Sequence, residues 1–477
     1  MRGVREAGTL AWKGIPYAAA PVGSLRWRAP RAVVPWQGTR DATRFGPACM
    51  QTDPVPKSED CLTLNVWRPV DAPGPVPVMV WIHGGAMVHG SSALYPGAAL
   101  ANKGVVVVTI NFRLGRLGYF AHPALTAEAP DEPSGNFGYL DQRAALQWVQ
   151  RNVKAFGGDP SQVTIFGESA GGGSVLAHLV SPMSRGLFHR AILQSPGTPA
   201  ARAASLPYSD LPAAERIAAA WAKSVGAENL AQLRKLPADA VVAGTGSKET
   251  LALLALGRKP AGMAMMIVDG QFLVETPEAA LAAGRQAMVP VMVGANDRDL
   301  PVGVASSKDD LFALFGPDAA VARHAYDPLG SQTLDELKQQ VFADRTLVEP
   351  ARHLANEMAR TGQQVWLYRF AYVSEAQRGQ NMGTLHGFEI PFTLDVPAAL
   401  VGDKVTPTDR VTADTVSTYW ANFGKSGDPN GTGSAAWPRH DPLTDQLMHF
   451  TNSGPILGTD PLRERLDLWQ RAYESKR

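Results

Sequence analysis

The chain has 477 residues, and its 45 lysines and arginines nearly balance its 44 aspartates and glutamates. A net charge of +1 leaves no basic field to attract nucleic acid or an anionic membrane, so a small and roughly neutral substrate fits better. No apolar run reaches the roughly 18 to 20 residues that span a bilayer, and residues 1–6 lack the apolar core of a signal peptide. We therefore expect no membrane span, and either an intracellular protein or one whose leader has been removed.

Strand patterns alternate with helical patterns along the chain. Apolar, β-branched runs predict strands at 76–82, 105–112, 163–166, 191–194, 289–293 and 365–371. Apolar spacing predicts helices at 140–156 and 170–180, and at 213–224 and 276–283 within an Ala-rich stretch, 206–284, that shows no clear strand. This alternation predicts a mostly parallel sheet flanked by helices. We expect one domain over residues 1–477, with 206–284 as a helical insertion that roofs the active site.

A glycine-rich turn, His83-Gly84-Gly85-Ala86, follows the first of these strands. Small residues let backbone N–H groups approach a substrate, and acyl transfer needs such donors to hold the developing oxyanion. The pattern predicts an oxyanion hole made by the amides of Gly85, Ala86 and Ala170, with Gly84 giving the loop its freedom. The alternative is an ordinary glycine turn after a buried strand.

The strand at 163–166 runs into Gly167-Glu168-Ser169-Ala170-Gly171, which has the G-x-S-x-G spacing of a nucleophile elbow. That spacing also arises by chance in glycine-rich turns, so the strand before it and the helix after it are the confirming context. In an elbow, the serine hydroxyl lies near the positive end of the following helix, where developing negative charge is favoured. Ser169 is therefore the predicted nucleophile of an α/β-hydrolase.

The base and the acid should follow the serine, because this fold carries its catalytic residues in the order serine, acid, histidine. Five histidines lie beyond residue 299: His324, His353, His386, His440 and His449. His386 alone lies in a long loop after a strand, whereas helical or apolar patterns around most of the others suit structural roles. We predict that His386 is the general base.

Three carboxylates compete for the acid position after the strand at 289–293: Asp297, Asp299 and Asp309. If the strand ends near residue 294, Asp299 can turn back toward the His386 loop. Asp297 would then cap the turn or face solvent. We predict Asp299 as the acid.

Sequence blocks spread over nearly the whole chain match one known pattern. They include Lys13-Gly14-Ile15-Pro16-Tyr17-Ala18, Ser58-Glu59-Asp60-Cys61-Leu62, Gly167-Glu168-Ser169-Ala170-Gly171-Gly172 and His386-Gly387-Phe388-Glu389. These blocks resemble the type-B carboxylesterases, the family of esterases, lipases and cholinesterases with the α/β-hydrolase fold. The resemblance implies the same roles for Ser169, Asp299 and His386, and no cofactor. It also implies buried ion pairs, Arg26 with Glu59 and Arg143 with Asp159.

The chain has two cysteines, Cys49 and Cys61. Taken alone, two cysteines in a long chain are more often buried free thiols. The resemblance instead places them at the first disulfide of the family. A disulfide would favour a secreted or periplasmic protein, and free thiols a cytoplasmic one.

The sequence departs from the family pattern at the acid and in the oxyanion loop. Asp299 stands where most members carry glutamate, so its shorter side chain must approach His386 more closely. Ala86 replaces a third glycine and Met87 replaces an aromatic residue, from which we expect a preference for smaller or flexible alcohol groups. The chain also begins inside the family's first strand region.

These observations predict a serine esterase that cleaves short to medium acyl esters through an acyl-enzyme. We expect a small-molecule ester substrate and a monomer or weak homodimer. One alternative is an interfacial lipase, for which residues 263–267 could line an apolar lid. Another is a non-catalytic, cholinesterase-like binding protein, although such proteins usually lose the serine or the histidine.

Overall fold

The architecture was taken from a computed structural model, which describes residues 1–196, 208–380 and 383–475. Residues 206 and 207, where the predicted insertion begins, and residues 476 and 477, where the predicted domain ends, lie outside the described residues. The strands of the described ranges are Val4–Glu6 (β1), Thr9–Pro16 (β2), Ala48–Cys49 (β3), Lys57–Ser58 (β4), Thr63–Pro69 (β5), Val76–Ile82 (β6), Val106–Ile110 (β7), Gly158–Glu168 (β8), Arg190–Gln194 (β9), Tyr208–Asp210 (β10), Met266–Val268 (β11), Val291–Asn296 (β12), Val365–Phe370 (β13), Gln446–Thr451 (β14) and Gly454–Thr459 (β15).

The α-helices pack mainly on the two faces of the large sheet and in the region after β10. They are Ala98–Ala101 (α1), Gly115–Gly118 (α2), Pro123–Glu128 (α3), Phe137–Asn152 (α4), Ala170–Val180 (α5), Leu211–Ser224 (α6), Leu230–Lys235 (α7), Ala238–Val242 (α8), Ser247–Ala255 (α9), Pro277–Ala282 (α10), Lys308–Ala313 (α11), Ala319–Tyr326 (α12), Leu334–Ala343 (α13), Glu349–Arg360 (α14), Ile390–Thr393 (α15), Ala398–Val401 (α16), Pro407–Ser426 (α17) and Arg463–Glu474 (α18). Among these helices, none combines the length and the apolar character that a bilayer crossing requires.

An 11-stranded sheet forms the centre of the fold, in the order β1-β2-β5-β7-β6-β8-β9-β12-β13-β14-β15. The strands from β7 to β14 in that order pair in parallel, and the strands at the two edges pair antiparallel. This is the mostly parallel sheet of an α/β-hydrolase that the sequence predicted. Parallel pairing brings the carboxyl ends of β6, β8, β9 and β12 to one edge, where the candidate site lies.

Strand β6 shows why the central strands are apolar throughout. Its side chains alternate between the two faces of the sheet, with Val78 and Val80 in one hydrophobic core and Met79 and Trp81 in the other. All four side chains are fully buried. Because helices cover both faces, neither face needs polar residues, and the strand appears in the sequence as a continuous apolar run.

Most predicted elements differ from the observed ones only at their ends. β6 has the bounds that the sequence predicted, and so does α5. α4 begins three residues before the predicted helix, and the predicted last turn, Val153–Phe156, is a tighter 3-10 turn. That turn ends at Gly157, whose φ of +78° is the left-handed conformation that stops helices.

The region after β10 contains α6 to α10, but it also contains strand structure. β10 pairs in parallel with β11, so the prediction of no strand in 206–284 was wrong. Three-residue strands are too short to show an alternating pattern in the sequence. The side chain of Arg116, in α2, ties this region to the rest of the fold by donating to the carbonyls of Val241, Ala243 and Ala261.

Only one of the two ion pairs implied by the family resemblance is formed. Arg26 donates two hydrogen bonds to the carboxylate of Glu59, at 2.7 and 2.5 Å. Arg143 instead donates from Nε to the carbonyl of Met183 at 2.7 Å, and Asp159 accepts hydrogen bonds from its own strand. The predicted pairing of Arg143 with Asp159 was therefore wrong, because the guanidinium group is directed toward a backbone acceptor.

Cys49 and Cys61 form a disulfide, with the two sulfur atoms 1.99 Å apart and the cysteines 12 positions apart in sequence. This pairing confirms the one implied by the family resemblance. Residues 49–61, which it closes, are called the disulfide loop below.

We expect Ellman titration of the unfolded, unreduced protein to detect almost no free thiol, because both cysteines are paired. Cys49→Ser with Cys61→Ser should lower the free energy of unfolding by about 2 to 3 kcal/mol, since closing a loop of this length restricts the unfolded chain. The measurement is urea unfolding of both proteins. Two titratable thiols in freshly purified protein would contradict the pairing.

Candidate active site

Ser169 lies in the sharp turn between β8 and α5. Its backbone has φ 56° and ψ −122°, a strained combination for a residue with a side chain. The turn is also closely packed, because a Cβ atom on Gly171 would lie 2.1 Å from the carbonyl oxygen of Ile82. Only glycine fits at that position, and the G-x-S-x-G pattern follows from this close approach of helix to strand.

The structure brings Ser169, His386 and Asp299 into one hydrogen-bonded row. The hydroxyl of Ser169 lies 2.8 Å from Nε2 of His386, and Nδ1 of the same ring lies 2.5 Å from Oδ1 of Asp299. With the ring proton on Nδ1, the imidazole donates to Asp299 and accepts from Ser169 through Nε2. These three residues are the predicted nucleophile, base and acid. Their geometry lets His386 accept a proton from Ser169 while Asp299 orients the ring.

The carboxylate of Asp299 is fully buried and accepts hydrogen bonds on both oxygens. Oδ2 accepts from the hydroxyl of Ser195 at 2.5 Å and from the backbone N–H of Asn296 at 2.9 Å. Oδ1 accepts from the backbone N–H of Leu300 at 2.9 Å. Burial raises the pKa of Asp299, but the charge of His386 and these hydrogen bonds outweigh it and hold the pKa below its ordinary value. Asp299 is thus kept as a carboxylate.

Ser195, which bonds Asp299, was not among the predicted site residues. Ser195 directly follows β9, and Asp299 lies three residues beyond β12, the strand next to β9 in the sheet. Neighbouring parallel strands end at the same edge of the sheet, so the polar residue that follows β9 could have indicated a partner for Asp299. That inference requires knowing that β9 and β12 are neighbours, which the sequence alone does not show.

The sequence predicted that Asp297 would cap the turn or face solvent. Asp297 is half-buried, and its Oδ1 accepts a hydrogen bond from the backbone amide of Thr384 at 2.7 Å. Burial raises the pKa of Asp297 to about 6. Asp297 therefore connects the end of β12 to the segment that precedes His386. Asp309, the third carboxylate considered, forms an exposed ion pair with Arg323.

The other histidines near the end of the chain lie away from Ser169. His324 is in α12, His353 in α14 and His449 in β14. His440 is buried, and its Nε2 lies 2.7 Å from the side-chain oxygen of Asn356. Of the five, the structure brings only His386 to the serine.

Two further carboxyl groups, Glu168 and Glu389, lie beside His386. Oε1 of Glu168 is 3.2 Å from Nε2 of His386. The carboxyl group of Glu389 accepts hydrogen bonds from the side-chain amides of Asn296 and Gln194, at 2.7 and 3.2 Å. Burial raises the pKa of Glu168 and of Glu389. Burial lowers the pKa of His386, but the negative charges of Glu168 and Asp299 outweigh it and raise the pKa above its ordinary value.

Glu168→Gln should shift the acid limb of the pH profile of kcat/KM to lower pH. The cationic form of His386 favours the ionised form of Glu168, and the negative charge of Glu168 in turn raises the pKa of His386. The substitution removes that charge, so the neutral imidazole, the form that can accept a proton, persists to lower pH. The measurement is kcat/KM on one ester from pH 5 to 9 for both proteins. A shift toward higher pH would contradict the direction assigned to Glu168.

Residues 84–90, called the glycine loop below, pass directly beside Ser169. A Cβ atom on Gly84 would lie 3.1 Å from Cβ of Ser169, so a larger residue would displace the nucleophile. Gly85 has φ +107° and Ala86 and Met87 have φ 50° and 64°, so three successive residues adopt left-handed backbone. Within the described residues, no backbone acceptor engages the amides of Gly85 and Ala86.

The glycine loop is held at both ends by buried side chains. His83 hydrogen-bonds through Nδ1 to the carbonyl of Gly84 at 2.8 Å and stacks on Phe112, and burial lowers its pKa to about 4, which keeps the ring neutral. At the other end, the amide group of Gln51 bonds both the carbonyl and the N–H of Gly90, at 2.9 and 3.0 Å. Gln51 also donates to the carbonyl of Cys49 at 3.0 Å, so the glycine loop is tied to the disulfide loop.

Comparison with known proteins gives consistent matches over nearly the whole chain. Residues 2–314 and 319–469 match the profile of a family described as the carboxylesterase family. A fumonisin B1 esterase of Sphingopyxis macrogoltabida is 36% identical, with 96% of this chain and 86% of that protein aligned. An acylcarnitine hydrolase of Mus musculus is 34% identical, covering 99% and 88% of the two chains. A cocaine esterase of Oryctolagus cuniculus is also 34% identical, covering 97% and 91%.

Proposed function

The chain belongs to the carboxylesterase family and is a carboxylic ester hydrolase, and we propose that it works as a serine esterase with Ser169 as nucleophile. The observation that carries the proposal is the hydrogen bond of His386 to Ser169 on one side and to Asp299 on the other. A hydroxyl group alone is a weak nucleophile, and it is activated when an adjacent, correctly oriented base takes its proton.

In the proposed first step, Oγ of Ser169 attacks the carbonyl carbon of the ester while Nε2 of His386 accepts the hydroxyl proton. Asp299 holds the ring with its proton on Nδ1 and stabilises the imidazolium that forms. Nε2 then returns the proton to the alcohol oxygen as the bond from that oxygen to the acyl carbon breaks. The alcohol leaves, and the acyl group stays esterified to Ser169.

In the second step, water attacks the acyl carbon and gives one proton to Nε2 of His386. The tetrahedral intermediate collapses, the bond to Oγ of Ser169 breaks, and the proton on Nε2 returns to Oγ. The acid is released, and the enzyme regains its starting state. No group outside this chain and water is needed to balance the reaction.

The amides of Gly85, Ala86 and Ala170 are the proposed donors to the oxyanion of both intermediates. Gly85 and Ala86 are close to Ser169 and have no backbone acceptor among the described residues. Ala170 is the first residue of α5, and the amide of a first helical residue has no acceptor within the helix. Donors fixed in advance stabilise charge that develops only during the reaction.

We propose short to medium acyl esters as substrates, rather than lipids at an interface. Met263, Met265, Met266 and Ile267, the residues that could have lined an apolar lid, are fully buried. An interfacial lipase needs a large exposed apolar surface, which these side chains do not provide. The region 206–284 is the proposed roof that selects among acyl groups.

The geometry of the candidate site also weakens the remaining alternative. A non-catalytic binding protein has no need for the aligned hydroxyl, imidazole and carboxylate found here. All of these side chains come from a single chain, so the reaction does not require a second copy, and a monomer or weak homodimer remains our expectation.

A p-nitrophenyl ester series from acetate to palmitate tests both the substrate range and the acyl-enzyme. We expect kcat/KM to peak between acetate and octanoate. At high enzyme concentration, p-nitrophenyl acetate should release a burst of p-nitrophenol stoichiometric with enzyme, because this activated ester should acylate Ser169 faster than water removes the acyl group. The measurement is steady-state and stopped-flow absorbance.

The outcome that would contradict the substrate range is a maximum at palmitate with activation by an oil surface. Ester hydrolysis with no covalent intermediate, even under conditions that slow deacylation, would contradict the serine route instead. The two outcomes are independent of each other.

A further inference from the structure

A cavity of about 450 Å³ lies between the disulfide loop and the end of the glycine loop. This volume is within the range of small-molecule sites. None of the three residues Ser169, Asp299 and His386 lines this cavity. The residues that matter for its chemistry are four apolar ones and two polar ones: Phe45, Val55, Pro56 and Leu94, with Asp53 and His89.

The cavity is next to the proposed oxyanion hole. His89 and Gly90 belong to both the cavity wall and the glycine loop. The carbonyl of Gly85 accepts the amides of Val88 and His89, at 2.9 and 3.1 Å, and a Cβ atom on Gly85 would lie 3.1 Å from Cδ2 of His89. The ring of His89 thus lies close to the backbone of Gly85, whose amide is one of the proposed donors. The wall of the cavity therefore begins beside the backbone that would hold the carbonyl of a substrate.

The polar end of the cavity carries an acidic group without a full counter-charge. Oδ2 of Asp53 lies 3.5 Å from Nδ1 of His89. Burial lowers the pKa of His89 although Asp53 raises it, so the ring is largely neutral near pH 7. Both side chains keep more than a third of their surface exposed, so a ligand can reach them.

Lys57, which is next to this pair, forms no ion pair with the carboxylate of Asp53. Its ammonium group donates to the backbone carbonyls of Gln51 and Asp53, at 2.7 and 3.4 Å, and lies 3.6 Å from the carboxylate of Asp239. Among the ion pairs of the described residues, none joins Asp53 to a lysine or an arginine. The cavity therefore combines apolar walls with an available negative charge.

We propose that this cavity binds a positively charged group on an apolar body, carried by the ester substrate, with Asp53 as the specificity-determining residue. An ammonium group would meet the carboxylate of Asp53 and the acceptor nitrogen of His89, while its apolar body would pack on Val55, Pro56 and Leu94. This inference rests on the proposed function, since it needs the carbonyl of the same molecule to be at Ser169.

Two matched pairs of esters test the proposal and distinguish which end of the substrate enters the cavity. In the first pair, the butyrates of 4-(aminomethyl)benzyl alcohol and 4-ethylbenzyl alcohol differ by an ammonium in place of a methyl group. In the second pair, p-nitrophenyl 6-aminohexanoate and p-nitrophenyl heptanoate differ in the same way on the acyl side. The readout is the ratio of kcat/KM for the charged ester to that for the neutral ester.

We expect the wild type to favour the charged ester in one of the two pairs, and Asp53→Asn to lower that ratio by about fivefold, the effect of one partly exposed ion pair. Asp239→Asn is the matched control, because it removes a neighbouring and more exposed carboxylate that does not line the cavity. Its ratio should stay within about twofold of the wild type.

A measurement on the wild type alone protects the test against a misfolded variant. Raising NaCl from 0.02 to 0.5 M should reduce the preference for the charged ester, because salt screens exposed charges. A wild-type ratio near one in both pairs, or a ratio that neither Asp53→Asn nor salt changes, overturns the proposal. If p-nitrophenyl heptanoate is hydrolysed in those cases, the cavity assignment fails and the proposed esterase function stands. Ester hydrolysis that survives Ser169→Ala would remove the proposed function itself.

Discussion

Ser169→Ala is expected to lower kcat by about 10⁴-fold or more while the protein stays folded. The substitution removes the atom that forms the acyl-enzyme, so the covalent route is lost. It removes little packing, because within the described residues this hydroxyl hydrogen-bonds to His386 alone. Activity is measured on p-nitrophenyl butyrate, and folding by circular dichroism and thermal unfolding.

Ser174→Ala is a suitable control for this experiment. Ser174 lies one helical turn along α5 and is fully buried, with its hydroxyl bonded to the carbonyl of Ala170 at 2.9 Å. Loss of that hydroxyl should change kcat by less than about tenfold, since it takes no part in the proposed reaction. A fluorophosphonate should label the wild type on the peptide that contains Ser169. Stoichiometric labelling of another serine would move the nucleophile elsewhere.

Asp299→Asn is expected to lower kcat by at least about a hundredfold. Both oxygens of Asp299 accept hydrogen bonds, so an amide group fits in neither orientation. If its NH2 replaces Oδ1, His386 must move its proton to Nε2 and can no longer accept from Ser169. If it replaces Oδ2, it faces the amide of Asn296. In both orientations, the charge that stabilises the imidazolium is lost.

Two neighbouring substitutions show whether the acid has been assigned correctly. Asp299→Glu should keep measurable activity, because it retains the carboxylate and is the residue found in most of the family. Asp297→Asn should stay within about tenfold of the wild type, because the amide oxygen can still accept from Thr384. If Asp297→Asn were the crippling change and Asp299→Asn nearly silent, the acid would have to be reassigned to Asp297.

The sequence was sufficient for the parts of this protein that depend on local patterns. The bounds of β6 and α5 could be predicted because one is a continuous apolar run and the other follows a glycine-rich turn. Ser169 could be predicted as the nucleophile from the spacing of its glycines, and His386 as the base from its place in a loop. The disulfide required the family resemblance, because spacing alone does not distinguish it from two free thiols.

The contacts that support the site could not be predicted in the same way. Ser195 meets Asp299 across 104 residues of sequence, and Asn296 meets Glu389 across 93. These residues meet because β9, β12 and β13 are neighbours in the sheet. No single segment of the sequence determines that order. The contact of Asp297 with Thr384 was missed for the same reason, since Thr384 belongs to another loop.

Gln51 gives the disulfide a second consequence besides stability. Its amide group bonds Gly90 at one end of the glycine loop and the carbonyl of Cys49 on the other side. Reduction of the disulfide would release the segment that carries Gln51, and with it the restraint on the amides proposed to hold the oxyanion. We therefore expect reduction of these two cysteines, which take no part in the proposed chemistry, to change turnover.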